Sequence, residues 1–297
     1  MILKDRQKYL FATDIILLLY LIITALILII QYNTLPLAGN HLIVRGWILL
    51  LMAQVIFIHK YYSTPFMEFA HLLFPFLFLI YFYYEAVQLD VFQLSSIAEE
   101  HLSAWDIKLL GSSAFSILSS WNNHSTYVQF GYLIQLLAYA SVPSLLFVAY
   151  SKNNMTGRKY AFISLNTFLI YTLVLFLFPS NIYGFSIPHQ GIFGGISELF
   201  QAIIDYNNVA TLNILVGFLI ISAMFFIHID KFITLLLSLL WLLFSLVSIS
   251  FNQQFLSGTL ISWAIAPLLY YLSLQFYYFT NRYILGFQQK PHKAQSH

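Results

Sequence analysis

Long apolar runs separated by short polar segments dominate the chain. A helix needs about 20 apolar residues to cross the roughly 30 Å hydrocarbon core of a bilayer, where backbone groups have no water partners. The pattern therefore predicts about eight membrane-spanning helices, of which the second is the weakest because Arg45 and Gln54 interrupt it. The predicted spans are 11–31, 42–60, 65–86, 126–150, 160–179, 208–228, 232–251 and 259–279.

The composition excludes several classes of protein. Only 8% of the 297 residues are charged and 60% are hydrophobic, whereas an average soluble domain is about 25% charged. A water-soluble enzyme, a disordered chain and a nucleic-acid-binding protein are therefore excluded. The absence of cysteine excludes thiolate metal sites and cysteine nucleophiles. The predicted fold class is an all-α, polytopic membrane helical bundle.

The lysine and arginine residues predict how the chain crosses the membrane. With eight spans and the N-terminus inside, the outer segments contain Arg45 and Lys108, and every other lysine and arginine falls in an inner segment. This is the positive-inside pattern. The first span lacks a small-residue cleavage site and is expected to be a retained signal anchor. We therefore expect an integral protein of the cytoplasmic (inner) membrane with both termini cytoplasmic.

Two long outer loops, 87–125 and 180–207, separate the predicted spans. Ser96 and Glu99 have the spacing of a capping box, followed by mixed apolar and charged residues that predict a short amphipathic helix. The second loop contains Pro188 and another short amphipathic stretch. Loops of this length often contribute to function, but they also serve simply to cap a bundle, and the sequence leaves both roles open.

Few ionisable residues fall inside the predicted spans. Asp14, near the inner end of the first span, is expected to reach the lipid headgroups. Glu68 and His71 are three residues apart, so they share a helix face, and a local hydrogen-bonded pair is expected. The histidines do not fall at metal-ligand spacings, so no metal and no cofactor is predicted.

Three segments at the ends of predicted spans follow a known pattern. Phe178-Pro179-Ser180 ends the fifth span, 207–213 opens the sixth, and 248–258 leads into the eighth. Together with Tyr83-Tyr84-Glu85 and Trp105-Asp106 upstream, they resemble the type 2 phosphatidic acid phosphatase superfamily. The most similar branch is the bacterial one that resembles inositol phosphorylceramide synthase.

The resemblance covers roughly residues 80–275 and implies a domain organisation. It implies an N-terminal two-span segment at 1–64, a phosphatase-like membrane domain with a six-helix core at 65–279, and a basic cytoplasmic tail at 280–297. Active sites of the family lie at the outer membrane boundary, so the resemblance places the corresponding site on the outside. The family's catalytic residues are two histidines, a serine and an aspartate.

The residues that match those catalytic positions have different chemistry here. Thr211 stands where the family has serine, and Asn213 stands where it has the proton-donating histidine. Gln254 replaces the nucleophilic histidine, and Gly258 replaces the aspartate that orients it. A register shifted by one residue gives the last pair as 253 and 257, with the same loss of imidazole and carboxylate. The Lys and Arg residues that grip phosphate in the family have no counterpart near 178–184.

These replacements predict that the site does not catalyse phosphoryl transfer. Carboxamides form hydrogen bonds but do not exchange protons usefully near pH 7, and loss of a nucleophile can cost about a millionfold in rate. We therefore expect a catalytically inactive protein that binds a lipid or isoprenoid, or that serves as a subunit with membrane protein partners. The candidate lipid-binding residues are Asn213, Gln254, Asn181 and Tyr183.

Two alternatives remain open at the level of the sequence. The protein could be a divergent but active lipid phosphatase or phospho-headgroup transferase, with His189 in the 180–207 loop as the substitute acid or base. It could also be a carrier that moves lipid between the leaflets. The lead hypothesis differs from both in requiring neither turnover nor transport.

Overall fold

The computed structural model describes most of the chain, and the described part is helical. The described residues are 10–35, 37–89, 100–109, 111, 125–177, 213–250 and 256–285. Every regular element in these ranges is a helix, which confirms the predicted all-α class. The 180–207 loop lies outside these ranges, as does most of the 280–297 tail.

The helices follow one another in an order that matches the predicted spans closely. In chain order they are α1 (Ala12–Ile30), α2 (Ala38–Tyr61), α3 (Pro65–Leu73), α4 (Leu79–Gln88), α5 (100–109), α6 (Ser125–Lys152), α7 (Asn154–Leu177), α8 (Ile214–Phe226), α9 (Lys231–Ser250) and α10 (Leu256–Phe279). A 3-10 turn at Phe74–Phe78 joins α3 to α4, and Pro75 in that turn has no N–H to donate to an α-helical bond. A π-helical turn at Thr280–Ile284 follows α10.

Seven of the described helical segments are long and apolar enough to cross a membrane, which supports the predicted membrane class. The sixth predicted span is the exception, because α8 has 13 residues and a length of about 20 Å. Residues 208–212, which complete that predicted span, lie outside the described ranges. The number of complete crossings, eight, therefore stays a prediction.

Helix α7 forms the centre of the bundle. In the most apolar 18-residue stretch of α7, 78% of the residues are buried, against 17% in the corresponding stretch of α2. Tyr160, Phe162 and Phe176 of α7 are fully enclosed by neighbouring helices. The outer helices leave large apolar side chains uncovered, among them Leu26 and Phe57, as expected of surfaces that face lipid.

One end of the bundle collects most of the described cations, and we call it the basic end. Several polar contacts connect the helices there: Tyr150 donates to the carbonyl of Pro65 (3.0 Å), the Lys159 ammonium donates to the Tyr278 hydroxyl (3.0 Å), and Lys152 lies 3.7 Å from Asp230. The basic end therefore holds the starts of α3, α7 and α9 and the ends of α6 and α10. The lysines and arginines there are Lys60, Lys152, Arg158, Lys159, Lys231 and Arg282.

The structure corrects both predictions about acids in the spans. The Asp14 side chain, expected among the lipid headgroups, is enclosed by the protein, because it is 2% exposed and bonds to His71. Glu68 does not pair with His71. It bonds to Arg158 (2.9 Å) and accepts from Asn154 (3.3 Å). Both differences arise because helix packing offered each side chain a partner on another helix.

Candidate functional site

Helix α8 begins inside the bundle at Ile214, and Asn213 precedes it as the N-cap residue. The Asn213 side-chain oxygen accepts the backbone N–H of Val216 (3.1 Å), which is the usual geometry of a helix N-cap. Its own backbone N–H donates to the Ser262 hydroxyl (2.9 Å). Ser262 lies about 9 Å along α10 from Leu256, at 1.5 Å per residue. The start of α8 therefore packs against the second turn of α10 instead of against its tip.

Ser262 is the hydrogen-bonding centre of this junction. Its hydroxyl accepts from the Asn213 N–H and donates to the carbonyl of Gly258 (2.9 Å). Its own carbonyl accepts from the Tyr171 hydroxyl at 3.0 Å. The structure thus joins Asn213 and Gly258, two of the predicted site residues, through one hydroxyl group.

Two polar groups at this junction are buried without a hydrogen bond to any described residue. They are the side-chain amide nitrogen of Asn213 and the hydroxyl of Thr259. Thr259 and Ser262 are three residues apart and share a face of α10, the face against which Asn213 packs. Leaving a buried donor without a partner costs about 1–3 kcal/mol, so these two groups are the polar atoms of the junction that the described residues leave open. We call Asn213, Gly258, Thr259 and Ser262 the α8–α10 junction.

The other predicted site residues lie outside the described ranges. These residues are Thr211, Gln254, Asn181, Tyr183 and His189. In the register shifted by one residue, Ser257 would stand where the family has the aspartate. Its hydroxyl donates to the carbonyl of Leu102 at 3.3 Å.

The sequence did not point to Tyr171, Thr259 or Ser262. The small polar residues at 258, 259 and 262 repeat at helical spacing, and this pattern could have indicated a polar face on α10. Tyr171 carried no such signal, because aromatic residues occur throughout the spans. Its position matters because its hydroxyl holds the same turn of α10 that receives Asn213.

A carboxylate already occupies the positive end of α10. Asp106, on α5, accepts the backbone N–H groups of Leu256 (2.9 Å) and Ser257 (2.7 Å). Free N–H groups and the helix dipole make a helix N-terminus a natural phosphate site. Because Asp106 takes two of these donors and places a negative charge beside them, the first turn of α10 disfavours a phosphate.

Among the described residues, no hydrogen bond or ion pair joins a lysine or arginine to the junction. Most of them lie at the basic end. Arg45, one of those that do not, is bound to both carboxylate oxygens of Glu85, at 2.6 and 2.8 Å. The described groups of the junction are therefore neutral, and two of them, the Asn213 amide and the Thr259 hydroxyl, can donate.

Comparisons with known proteins gave no relative for this chain. No family model matches it, and neither the curated proteins nor the solved structures contain a match.

Proposed function

We propose that this chain is a non-catalytic membrane protein that binds the neutral polar head of a lipid or isoprenoid at the α8–α10 junction. The observation that carries the proposal is the Asn213 carboxamide. It is 3% exposed, its oxygen caps α8, and its NH₂ group has no partner among the described residues. An oxygen atom of a bound molecule would accept a hydrogen bond from this NH₂ group.

The surroundings favour a neutral, membrane-soluble ligand. The junction lies between apolar helices, so a molecule that reaches it must partition into the bilayer. An anionic head would need cationic partners or free helix N–H groups, and Asp106 already takes two of those at the start of α10. A hydroxyl, ester or amide oxygen needs only the uncharged donors that the junction offers.

The chemistry of the junction supports a binding role over a catalytic one. In the phosphatase-like arrangement suggested by the sequence, Asn213 and Gly258 take the places of an imidazole and a carboxylate. Neither can act as a nucleophile or move a proton at neutral pH. We therefore propose a pseudoenzyme built on a phosphatidic acid phosphatase-like core within 65–279.

Binding can be tested with Asn213→Ser. Serine is also a good N-cap, so α8 keeps its start while the NH₂ donor is lost. We expect the variant to retain a photoreactive diacylglycerol or polyprenol probe about three- to tenfold less than the wild type, the value of one hydrogen bond. The measurement is cross-linking yield and native mass spectrometry of the protein in detergent.

The matched control is Asn166→Ser, which removes a buried amide that already has a partner, the Ser273 hydroxyl at 2.6 Å. This variant should retain the probe as the wild type does. Equal retention by Asn213→Ser and the wild type would remove the junction as a lipid site. Turnover of phosphatidic acid or undecaprenyl pyrophosphate that disappears in His189→Ala would establish the enzymatic alternative, and lipid scrambling above that of empty liposomes would establish the carrier.

We also propose that the protein lies in the cytoplasmic membrane with its basic end inside, because cations are retained on the cytoplasmic side. The chain has no cysteine, so single cysteines report orientation without a background. In intact cells, a membrane-impermeant maleimide should label Lys108→Cys on exposed α5 but should label Lys231→Cys, at the start of α9, only after permeabilisation. The opposite labelling pattern would reverse the topology and place the junction toward the cytoplasm.

A further inference from the structure

Three ionisable side chains from three different helices meet inside the basic end of the bundle. Asp14 of α1, His59 of α2 and His71 of α3 are 2%, 4% and 0% exposed. His71 Nε2 lies 3.0 Å from Asp14 Oδ1, and His71 Nδ1 lies 3.0 Å from His59 Nδ1. The second carboxylate oxygen of Asp14 accepts the backbone N–H of Phe11 at 2.7 Å. The three groups therefore form one continuous hydrogen-bonded chain.

The two contacts determine how many protons this hydrogen-bonded group can hold. Each of the two contacts needs one hydrogen, and the two Nδ1 atoms share a single one between them. With Asp14 ionised and both rings neutral, His71 donates to Asp14 and His59 donates to His71, and the group carries a charge of −1. One further proton on His59 Nε2, the ring nitrogen that neither contact uses, brings the charge to zero while both contacts remain. The site thus accepts a proton without breaking either of these two contacts.

Among the residues that the structure describes, the neighbouring charges do not neutralise Asp14. Arg158 of α7 stacks on the ring of Phe11 at 4.6 Å, but its guanidinium is paired with Glu68 of α3 at 2.9 Å. The Phe11 ring in turn lies 4.6 Å from the His71 ring and separates the two charged groups. Since Glu68 and Arg158 balance each other, the buried carboxylate gains a counter-ion when the histidine pair carries its extra proton.

We propose that Asp14, His59 and His71 form a buried binding site for one proton. The ligand is the proton itself, carried by the histidine pair and balanced by the carboxylate. Ionisable groups at membrane depth are costly to bury and are characteristic of proton pathways. The site joins α1, α2 and α3, so its protonation bears directly on how these helices pack. The proposal does not depend on lipid binding at the α8–α10 junction, which involves other helices.

Nitrogen-15 NMR of histidine-labelled protein in detergent tests this directly. His59→Gln and His71→Gln assign the two rings among the nine histidines of the chain. We expect the wild-type signals of His59 and His71 to shift together with one common midpoint, because strongly coupled groups titrate as a unit. Removing either ring should move the midpoint of the other, and Asp14→Asn should remove the common transition.

His228 is the matched control, because it is an exposed histidine in the turn before α9 at the same end of the bundle. Its nitrogen-15 signals should be the same in every variant as in the wild type. The proposal is overturned if both buried rings stay neutral between about pH 4 and 9, or if removing one ring leaves the pH response of the other unchanged. If Asp14→Asn does not fold, the wild-type titration and the two glutamine variants still decide between these outcomes.

Discussion

Replacement of Glu85 by glutamine is expected to lower the free energy of unfolding by about 3–5 kcal/mol, the usual cost of breaking a buried ion pair by removing one partner. Glu85 and Arg45 have side-chain exposures of 0% and 3%. The guanidinium donates to both carboxylate oxygens, to the Thr24 hydroxyl (3.1 Å) and to the carbonyl of His41 (3.0 Å). Without the carboxylate, an arginine charge stays buried among apolar helices. Reversible unfolding in detergent measures the effect.

The double variant Arg45→Met/Glu85→Met separates two contributions to the free energy of unfolding. One is the stabilisation by the ion pair itself, and the other is the destabilisation by a single buried charge. Buried pairs replaced by apolar side chains of similar volume often lose little stability. The double variant should therefore be more stable than Glu85→Gln alone. The matched control is Lys152→Met, which breaks an exposed pair with Asp230 and should cost less than about 1 kcal/mol. A cost for Glu85→Gln no larger than that of Lys152→Met would contradict the buried pair.

Substitution of Gly157 by alanine should destabilise the bundle by about 1–3 kcal/mol, the typical cost of overpacking a core. Gly157 lies in the first turn of α7, where a Cβ atom would meet the Tyr150 Cα at 2.7 Å. That neighbour is backbone, so the clash can be relieved only by separating α6 from α7. Loss of this approach should also weaken the contact of Tyr150 with the carbonyl of Pro65.

Gly46→Ala is the control with the opposite expected sign. Gly46 lies in the interior of α2, and nothing stands within 4 Å of its added Cβ. Alanine should therefore gain up to about 1 kcal/mol from helix propensity alone. Thermal unfolding of both variants in one detergent provides the comparison. A stabilised Gly157→Ala would show that α6 and α7 do not approach so closely.

The main features of the architecture followed from the sequence. Apolar runs must be helical in a medium without water, so span boundaries such as 126–150 and 232–251 differ from α6 and α9 by no more than two residues. The sequence also singled out Arg45, because it interrupts an apolar span, and Asn213, because it stands where the suggested resemblance expects a histidine. The interruption of the second span by Arg45 gave no indication that its partner is Glu85.

The partners of the buried polar groups were decided by the tertiary structure alone. Helical periodicity predicts which residues share a face of one helix, and it suggested that Glu68 and His71 would pair. It does not predict which face of another helix lies opposite, so Asp14 as the partner of His71 could not be foreseen. In the same way, the sequence by itself determined that α8 and α10 exist, but only their packing placed Asn213 against Ser262. Side-chain direction is a local property of a helix, whereas a hydrogen bond between helices depends on their rotation and depth.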